Sequence, residues 1–154
     1  MTEEVKNLLN ISWTEFDFQC AVLLKSLKDV ALDIDCIVAI ARGGLVPAAV
    51  IANALNVRDV RSIAVSSYSE GVQIQEPAFL VDSSTRYIFN NRSVLFVDDI
   101  VDSGKTHRAF DSIFPAAYFA SIYVRHTSQS FPDFYSVCIP SNDWVVFPWE
   151  PKRT

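Results

Sequence analysis

The sequence predicts an α/β fold in which a mainly parallel, twisted sheet is flanked by helices. Short apolar runs alternate along the chain with stretches of helical periodicity, and such alternation is typical of parallel strands joined by helical crossovers. The chain has 154 residues, a length that fits one domain burying about 70% of its unfolded surface. We therefore expect a single domain over residues 1–154.

A first helix is predicted over about residues 13–28. Ser12 and Glu15 have the spacing of an N-terminal capping box. Apolar side chains then recur along one helical stripe, at Phe16, Cys20, Leu23, Leu24 and Leu27.

A second helix is predicted to follow a buried strand at residues 36–40. Pro47 suits the first turn of this helix, because an N–H group there has no helical partner. Residues 48–55 are apolar nearly all round, which indicates deep packing against the sheet. Further strands are predicted at residues 60–66, 94–97, 118–124 and 135–139, with a third helix over residues 103–114.

Residues 69–92 are the least regular part of the chain. Gly71, Pro77 and a small polar run at residues 82–84 interrupt short apolar pieces. A long irregular segment in a compact domain is typically a functional lid or a disordered loop. A hairpin of residues 86–89 and 92–96, turning at Asn90-Asn91, is the alternative for its second half.

Charge and composition exclude several classes of protein. A net charge of −5 argues against a nucleic-acid surface, which needs a basic footprint. No apolar run approaches the roughly 18 residues of a transmembrane helix, and the acidic first ten residues do not resemble a secretory signal. We expect a cytoplasmic protein. Cys20, Cys36 and Cys138 each stand beside apolar neighbours and are predicted to be buried free thiols.

The most informative motif is VLFVDDIVDSGKT at residues 94–106. Its apolar start predicts a strand buried on both faces, with Asp98 and Asp99 at the carboxyl end. Ser103 and the residues after it open a helix whose unpaired N–H groups and positive dipole end can hold a phosphate. Ligands of open α/β sheets bind at this edge. The motif therefore predicts a site for a phosphorylated sugar.

Three other interpretations of this motif carry less weight. A nucleotide-binding P-loop needs a glycine five positions before Gly104, where this chain has Asp99. A helical DDxxD motif collects Mg²⁺ through carboxylates spaced like Asp98, Asp99 and Asp102, but here the pattern follows a strand. Aspartates also end strands and start turns, yet three of them followed by Ser-Gly indicate more than a turn.

Residues 94–106 resemble the ribose-phosphate motif of the type I phosphoribosyltransferases along their whole length. IVAIARGGLVPAAVIANALNVRDVRSIAVSSY at residues 37–68 and WVVFPWE at residues 144–150 are similar to parts of the small bacterial xanthine-guanine phosphoribosyltransferases. The segments have the same order and similar spacing as in those enzymes. The arginine-glycine segment and the tryptophan segment together narrow the resemblance to the purine branch. It implies the type I phosphoribosyltransferase fold, with residues 69–92 as a flexible hood loop over the reacting centre.

The implied reaction moves a 5-phosphoribosyl group from phosphoribosyl pyrophosphate (PRPP) to guanine, xanthine or hypoxanthine and releases pyrophosphate, as in purine salvage. Asp98 and Asp99 then accept hydrogen bonds from ribose hydroxyls. Asp99 is also the implied contact to Mg²⁺, the implied cofactor. The implied cradle for the 5-phosphate consists of Ser103, Gly104, Lys105 and Thr106, and Asp102 is a further implied PRPP contact.

In this superfamily an aspartate at the position of Asp102 marks the enzymes that act on 6-oxopurines. The resemblance implies that Asp102 is the catalytic base near purine N7, while a helix N-cap is the structural alternative. The implied purine contacts are Asp102, Arg125, Trp144 by stacking, the main chain of Val145, and Glu150. Trp13 and Trp149 are predicted to be partly buried core residues.

Arg42 and Gly43 follow the strand at residues 36–40 and are the implied pyrophosphate-binding pair, with an ordinary βα turn as the alternative. Two features depart from the family pattern. Arg125 stands where the family usually has a lysine that donates to purine O6, and a planar guanidinium needs a different angle. Residues 62–85 contain no lysine or arginine, although the family's hood normally supplies a cation to pyrophosphate.

Two other functions stay open at this point. A regulatory protein that binds PRPP or a nucleotide without efficient turnover fits the uncharged hood. A phosphoribosyltransferase for another base fits the change to Arg125. The resemblance also implies a homodimer or homotetramer.

Overall fold

The computed structural model describes residues 7–69, 72–79, 89–140 and 143–151. In these ranges the strands are β1 (Leu8–Asn10), β2 (Cys36–Ala41), β3 (Val60–Ser69), β4 (Val72–Phe79), β5 (Val94–Val101), β6 (Tyr118–Arg125), β7 (Phe134–Ile139) and β8 (Trp144–Val146). The helices are α1 (Trp13–Asp29), α2 (Leu45–Leu55) and α3 (Lys105–Ile113). The predicted elements are thus present, with ends that differ by a few residues.

The main sheet has the strand order β4-β3-β2-β5-β6-β7, and β1 pairs separately with β8. Strands β3, β2, β5, β6 and β7 are parallel to one another. Strand β4 runs antiparallel to β3 at one edge. The prediction of an α/β fold with a mainly parallel sheet is therefore confirmed.

The chain reverses its direction of travel across the sheet between β2 and β5. From β2 it passes through α2 to β3 on one side, and it later enters β5 on the other side of β2 before continuing to β6 and β7. A crevice opens at such a switch point, outside the carboxyl ends of the two strands. The residues that follow β2 and that end β5 therefore border one site.

Helix α1 begins where its capping pattern predicts. The Ser12 Oγ atom accepts a hydrogen bond of 3.1 Å from the backbone N–H of Glu15. The Glu15 carboxylate accepts from Gln19 Nε2 at 2.7 Å, one turn further along the helix. Phe16, Cys20, Leu23 and Leu27 are buried, so the predicted stripe is the face that packs on the sheet.

Apolar clusters cover both faces of the sheet. Alternate residues of β5 belong to different clusters, since successive side chains of a strand point to opposite faces. Leu95 packs with residues of α1 and α2, whereas Phe96 packs with α3, where its ring lies 4.8 Å from that of Phe110. Helices therefore flank the sheet on both faces, as predicted.

Residues 69–92 begin more regularly than predicted. Strand β3 extends to Ser69, and β4 pairs with it from Val72 opposite Ser69 to Phe79 opposite Val65. The expectation of an irregular loop is wrong for residues 72–79, because the open edge of β3 provides a ladder partner that local sequence does not reveal. Residues 70–71 and 80–88 of the predicted hood lie outside the described residues.

The alternative prediction of a hairpin is wrong for its second arm, residues 92–96. Both edges of β5 are occupied there, since Phe96 lies opposite Val38 of β2 on one side and opposite Phe119 of β6 on the other. A strand with two parallel neighbours has no edge left for a hairpin partner. Residues 86–88 of the first half lie outside the described residues.

Two burial predictions need correction. Cys20 and Cys36 are buried free thiols, but Cys138 is an exposed free thiol, because β7 is an edge strand of the sheet. Trp13 is 57% exposed, because it is the first residue of α1. Its ring contacts Phe16 and Trp149 at centroid separations of 6.0 and 6.1 Å. Trp149 is partly buried, as predicted.

Within the described ranges, no helix combines the length and the hydropathy that crossing a bilayer requires. The assignment of residues 1–154 to one domain stays a prediction.

The turn after β2 should not tolerate a side chain at Gly44. A Cβ atom there would collide with the carbonyl oxygen of Val97 and would lie 2.8 Å from that of Ile40. Both oxygens belong to central strands, and moving such a strand would disturb its hydrogen bonds to two neighbours. We expect Gly44→Ala to lower the free energy of unfolding by about 1–3 kcal/mol in urea denaturation.

Ala31→Gly is the matched control for Gly44→Ala, since it removes one methyl group where Gly44→Ala adds one. Ala31 is exposed and has φ of 53°, a left-handed conformation that costs residues with a Cβ atom about 1 kcal/mol. We expect this variant to be as stable as the parent protein or slightly more stable. An unchanged urea midpoint for Gly44→Ala would contradict the close approach described above.

Candidate active site

The turn formed by residues 42–44 meets the end of β5 at the switch point. The peptide bond between Ala41 and Arg42 is cis. A Cβ atom at Gly43 would collide with the carboxyl group of Asp99. Glycine therefore lets the backbone of the turn lie directly against this carboxyl group. Two predicted PRPP-binding residues, Gly43 and Asp99, are thus in contact, with Arg42 exposed beside them.

The paired aspartates lie within β5, because this strand continues to Val101. Asp98 Oδ1 accepts a hydrogen bond of 2.9 Å from the Asp99 N–H, and Asp99 Oδ1 accepts one of 2.7 Å from the Ile100 N–H. Burial, and then the charge of Asp99, raise the pKa of Asp98 well above its ordinary value. Burial also raises the pKa of Asp99 to about 6, and the charge of Glu150 acts in the same direction.

The loop after β5 leads into the N-terminus of α3. Gly104 occupies the N-cap position with φ of 82°, and α3 begins at Lys105. Ser103 Oγ accepts from the Lys105 N–H at 3.4 Å. The first turn of a helix has N–H groups without intrahelical partners and a positive dipole end, so this junction can bind a phosphate. Thr106 lies in the same first turn of the helix.

Asp102 and Arg125 form an ion pair. Arg125 Nε donates to Asp102 Oδ1 at 2.5 Å, and Arg125 Nη2 donates to the backbone carbonyl of Asp143 at 2.8 Å. The Arg125 side chain is 9% exposed and that of Asp102 is 66% exposed. The structure therefore brings two predicted purine contacts together. Asp143, which fixes the guanidinium group, directly precedes the C-terminal tail, residues 144–150. The N-cap alternative for Asp102 is wrong, because Gly104 holds that position.

The tail is held by the first strand of the chain. Strands β1 and β8 are parallel, with Leu8 opposite Trp144 and Leu9 opposite Val145, and the Trp144 N–H donates to the Asn7 carbonyl at 2.8 Å. Because the polar groups of successive strand residues point to opposite edges, those of Val145 point away from β1. The Trp144 side chain is 37% exposed and Val145 is buried.

Glu150 secures the turn that follows β8. Its Oε2 atom accepts from the Phe147 N–H at 2.9 Å, and its own N–H donates to the Phe147 carbonyl at 3.0 Å. Its charge also contributes to the raised pKa of Asp99. Glu150 thus supports the turn after β8 and acts electrostatically on Asp99. Its direct contact with a purine stays a prediction.

The acidic pair fits Mg²⁺ by the chemistry of its donor atoms. This ion takes one or two carboxylates and completes its shell with water and substrate phosphate oxygens. Within the part of the chain that the structure describes, no group of three or more acidic, histidine or cysteine side chains is placed to hold a metal. Asp99, with Asp98 beside it, would therefore hold the ion together with substrate oxygens, and the ion would offset the repulsion between the two carboxyl groups.

Two supports of the site were not predicted from the sequence. Residues 128–130 pack against Gly104, where a Cβ atom would lie 2.6 Å from Ser128 Oγ and 2.7 Å from the Ser130 nitrogen. Their Ser-Gln-Ser sequence is a weak signal, since serine is common in turns. Strand β1 gave no usable signal, because three residues form a strand only through their partner.

A cavity of about 330 Å³ lies at the opposite, amino edge of the sheet, with Phe89, Phe96 and Phe114 among its walls. The carboxylates, the loop at α3 and Arg125 all lie at the carboxyl edge. The chemistry of the described residues therefore places the candidate active site in the open crevice and not in this cavity.

Together, the fold and the site define an α/β protein with an acidic pair and an anion-binding loop at the switch point of a parallel sheet. The chain belongs to the phosphoribosyltransferase family, since the pattern of the phosphoribosyl transferase domain matches residues 12–153. Over 114 residues it is 35% identical to the xanthine-guanine phosphoribosyltransferase of Cereibacter sphaeroides, covering 74% of this chain and 68% of that protein. The predicted resemblance is therefore confirmed.

Solved structures agree with this family. The purine phosphoribosyltransferase of Pyrococcus horikoshii matches with a TM-score of 0.77 and 24% identity, over 96% of this chain and 97% of that one. The xanthine-guanine-hypoxanthine phosphoribosyltransferase of Helicobacter pylori matches with a TM-score of 0.75 and 22% identity, over 94% of each chain. These matches confirm the predicted type I phosphoribosyltransferase fold.

A methyl group added at Gly43 should disturb the chemistry more than the fold. The obstacle there is the Asp99 side chain, which can rotate away, whereas at Gly44 the obstacle is backbone. We expect Gly43→Ala to lower kcat/KM for PRPP at least ~10-fold in initial-rate assays with guanine, because Asp99 is displaced. The free energy of unfolding should change by less than ~1 kcal/mol.

Gly44→Ala is the comparison variant, in which the loss of stability should dominate. A Gly43→Ala protein with the kcat/KM of the parent would contradict the role of the contact between Gly43 and Asp99.

Proposed function

We propose that this phosphoribosyltransferase transfers the 5-phosphoribosyl group of PRPP to a 6-oxopurine (guanine, xanthine or hypoxanthine) in purine salvage. The bond between C1 of the ribose and pyrophosphate breaks, a bond from C1 to a purine imidazole nitrogen forms, and the other imidazole nitrogen loses its proton. The similarity to the xanthine-guanine enzyme of Cereibacter sphaeroides supports this class of substrate.

The contact between Asp102 and Arg125 is the observation that carries the proposal. A 6-oxopurine presents the O6 acceptor beside an N7–H donor, and this pair of residues offers a guanidinium donor and a carboxylate acceptor 2.5 Å apart. Adenine would instead present an amino donor to the guanidinium donor. The two side chains bond to each other here, so the purine has to replace this contact with hydrogen bonds of its own.

The remaining crevice residues match the parts of PRPP. Asp98 and Asp99 accept hydrogen bonds from the ribose hydroxyls. Gly43 lies against Asp99, and it binds the pyrophosphate together with Arg42. Residues 103–106 bind the 5-phosphate through backbone N–H groups. When bound, Mg²⁺ supplies positive charge that stabilises the leaving pyrophosphate.

Asp102 acts as the general base of the proposed reaction. Positive charge develops on the purine as its bond to C1 forms, and a carboxylate within hydrogen-bonding distance of N7–H removes the proton. A positioned base of this kind typically contributes a factor of about 10²–10⁴ in rate. Arg125 holds O6 during this step, and the Asp143 carbonyl fixes the guanidinium group at 2.8 Å.

Trp144 and Val145 complete the proposed purine site. An aromatic ring that stacks on a base is worth about 1–3 kcal/mol, and the Trp144 side chain is 37% exposed. The main-chain groups of Val145, which point away from β1, read the edge of the base. Glu150 supports this tail through its hydrogen bond to Phe147.

The setting of the reaction is also part of the proposal. We expect a Mg²⁺-dependent, cytoplasmic homodimer or homotetramer whose partners are PRPP and a purine base. Free thiols at Cys20, Cys36 and Cys138 are typical of a reducing compartment, and the donor set of Asp98 and Asp99 supports Mg²⁺.

One observation favours a second candidate function, a regulatory protein that binds PRPP or a nucleotide. Residues 62–85 contain no lysine or arginine that could bind pyrophosphate. An assay with PRPP, Mg²⁺ and guanine, xanthine, hypoxanthine or adenine separates the two functions. We expect pyrophosphate release with at least one 6-oxopurine and at least ~100-fold slower release with adenine. Binding of PRPP without turnover of any base would favour the regulatory protein.

Replacing the proposed base should abolish turnover while substrate binding persists. In Asp102→Asn an amide replaces the carboxylate at nearly the same size, so proton acceptance is lost. We expect kcat to fall about 10²–10⁴-fold, with the Kd for PRPP in calorimetry changed less than ~3-fold. Asp33→Asn, an exposed position away from the crevice, is the matched control. Full activity of Asp102→Asn would remove Asp102 from this role.

Removing the stacking ring should weaken binding of the purine base and leave binding of PRPP unchanged. We expect Trp144→Ala to raise the KM for the purine about 5–150-fold, because stacking worth about 1–3 kcal/mol is lost. Phe18→Ala removes another exposed ring, located on α1, and should leave this KM unchanged. Equal changes in the KM values of purine and PRPP would count against stacking by Trp144.

A further inference from the structure

Residues 128–130 form a tight turn after β6, close to the loop that leads into α3. The Ser128 N–H donates to the carbonyl of Arg125 at 2.9 Å. The Ser128 hydroxyl donates to the Ser130 carbonyl at 2.6 Å. The turn is therefore closed by its own hydrogen bonds and is attached to the end of β6, at the residue whose side chain holds Asp102.

The turn contacts the loop at two successive residues. The Gln129 N–H donates to the Ser103 carbonyl at 3.1 Å. Gly104 packs so closely that a Cβ atom on it would lie 2.6 Å from Ser128 Oγ and 2.7 Å from the Ser130 nitrogen. The backbone of the loop thus rests on the backbone and hydroxyl groups of the turn.

His107 ties the same turn to the first part of α3. Its Nδ1 atom lies 2.6 Å from Ser130 Oγ, in a partly buried hydrogen bond. The imidazole ring also packs edge-on against Phe119 of β6, with ring centroids 4.7 Å apart. Burial lowers the pKa of His107, which favours the neutral ring, whose Nδ1 atom accepts from a hydroxyl in one tautomer.

The loop depends on outside support for its shape. Asp102, Ser103 and Lys105 are exposed, so their side chains do not fix the loop by burial. Gly104 has a left-handed backbone and lacks a side chain that could lock it. A backbone site for an anion is effective only when its N–H groups are held in place before the anion arrives.

We propose that the turn of residues 128–130, fastened by the bond between His107 and Ser130, is a positioning element for the 5-phosphate loop. It acts through Ser103 and Gly104 and does not touch the substrate. This inference rests on the proposed function, because it assigns the 5-phosphate to residues 103–106. The same turn connects to Arg125, so it joins the purine side of the site to the phosphate side.

Removing the Ser130 hydroxyl tests the proposal. We expect Ser130→Ala to raise the KM for PRPP and the Kd for ribose 5-phosphate about 3–10-fold, the usual effect of one lost hydrogen bond. The KM for guanine should change less than ~2-fold. Ser130→Thr keeps a hydroxyl group and should restore most of the affinity. The matched control is Ser136→Ala, which removes a serine bond of 2.6 Å to Gln19 far from the loop and should leave all three constants unchanged.

A substitution of His107, the partner of Ser130 in this hydrogen bond, tests the proposal even if Ser130→Ala does not fold. His107→Leu should weaken ribose 5-phosphate binding to a similar extent, while His107→Asn, which keeps a polar atom near the Nδ1 position, should retain more of it. Unchanged Kd values in both Ser130→Ala and His107→Leu would overturn the proposal, as would equal losses for PRPP and guanine. Calorimetry with ribose 5-phosphate decides the matter even if the parent protein turns over no base, so failure of the proposed function is seen separately.

Discussion

The site depends on the close approach of the turn at residues 42–44 to the end of β5. Strands β2 and β5 are paired neighbours, with Ala39 opposite Val97, and hydrogen bonding fixes such neighbours about 4.8 Å apart. At two successive positions of this turn, the carboxyl edge of these strands leaves no room for a Cβ atom. Gly43 lies against the Asp99 carboxyl group and Gly44 against the Val97 carbonyl. This constraint places the proposed pyrophosphate turn and the proposed sugar-binding carboxylates in one crevice.

The electrostatics of the crevice follow from that approach. Asp98 and Asp99 are half-buried, and burial raises the pKa of both. The protein carries a net charge of −5, and PRPP is itself highly anionic. In the proposed function, PRPP binding therefore relies on local features: the N-terminus of α3, the turn of residues 42–44 and a divalent cation held with the carboxylates. The net charge of the protein therefore does not decide whether the crevice can bind an anion.

The sequence predicted those features that depend on local patterns. The buried strand before Asp98, the stripe of α1 and the apolar α2 follow from periodicity and length. Strand β4 and the exposure of Cys138 were mispredicted, because each depends on the position of an element in the finished sheet. The contact of Asp102 with Arg125 joins residues 23 positions apart. Sequence resemblance assigned both to the purine, but only the folded chain shows that they touch each other.

The pairing of β1 with β8 links the stability of the first strand to the binding of a ligand at β8. Residues 8–10 pair with the strand that carries Trp144 and Val145. Whatever free energy this pairing adds to the binding of a ligand at the strand, the bound ligand adds to the pairing. Amide hydrogens at the two strands should then exchange with solvent more slowly when a base is bound. Truncation of the first strand would weaken recognition of a ligand that it does not contact.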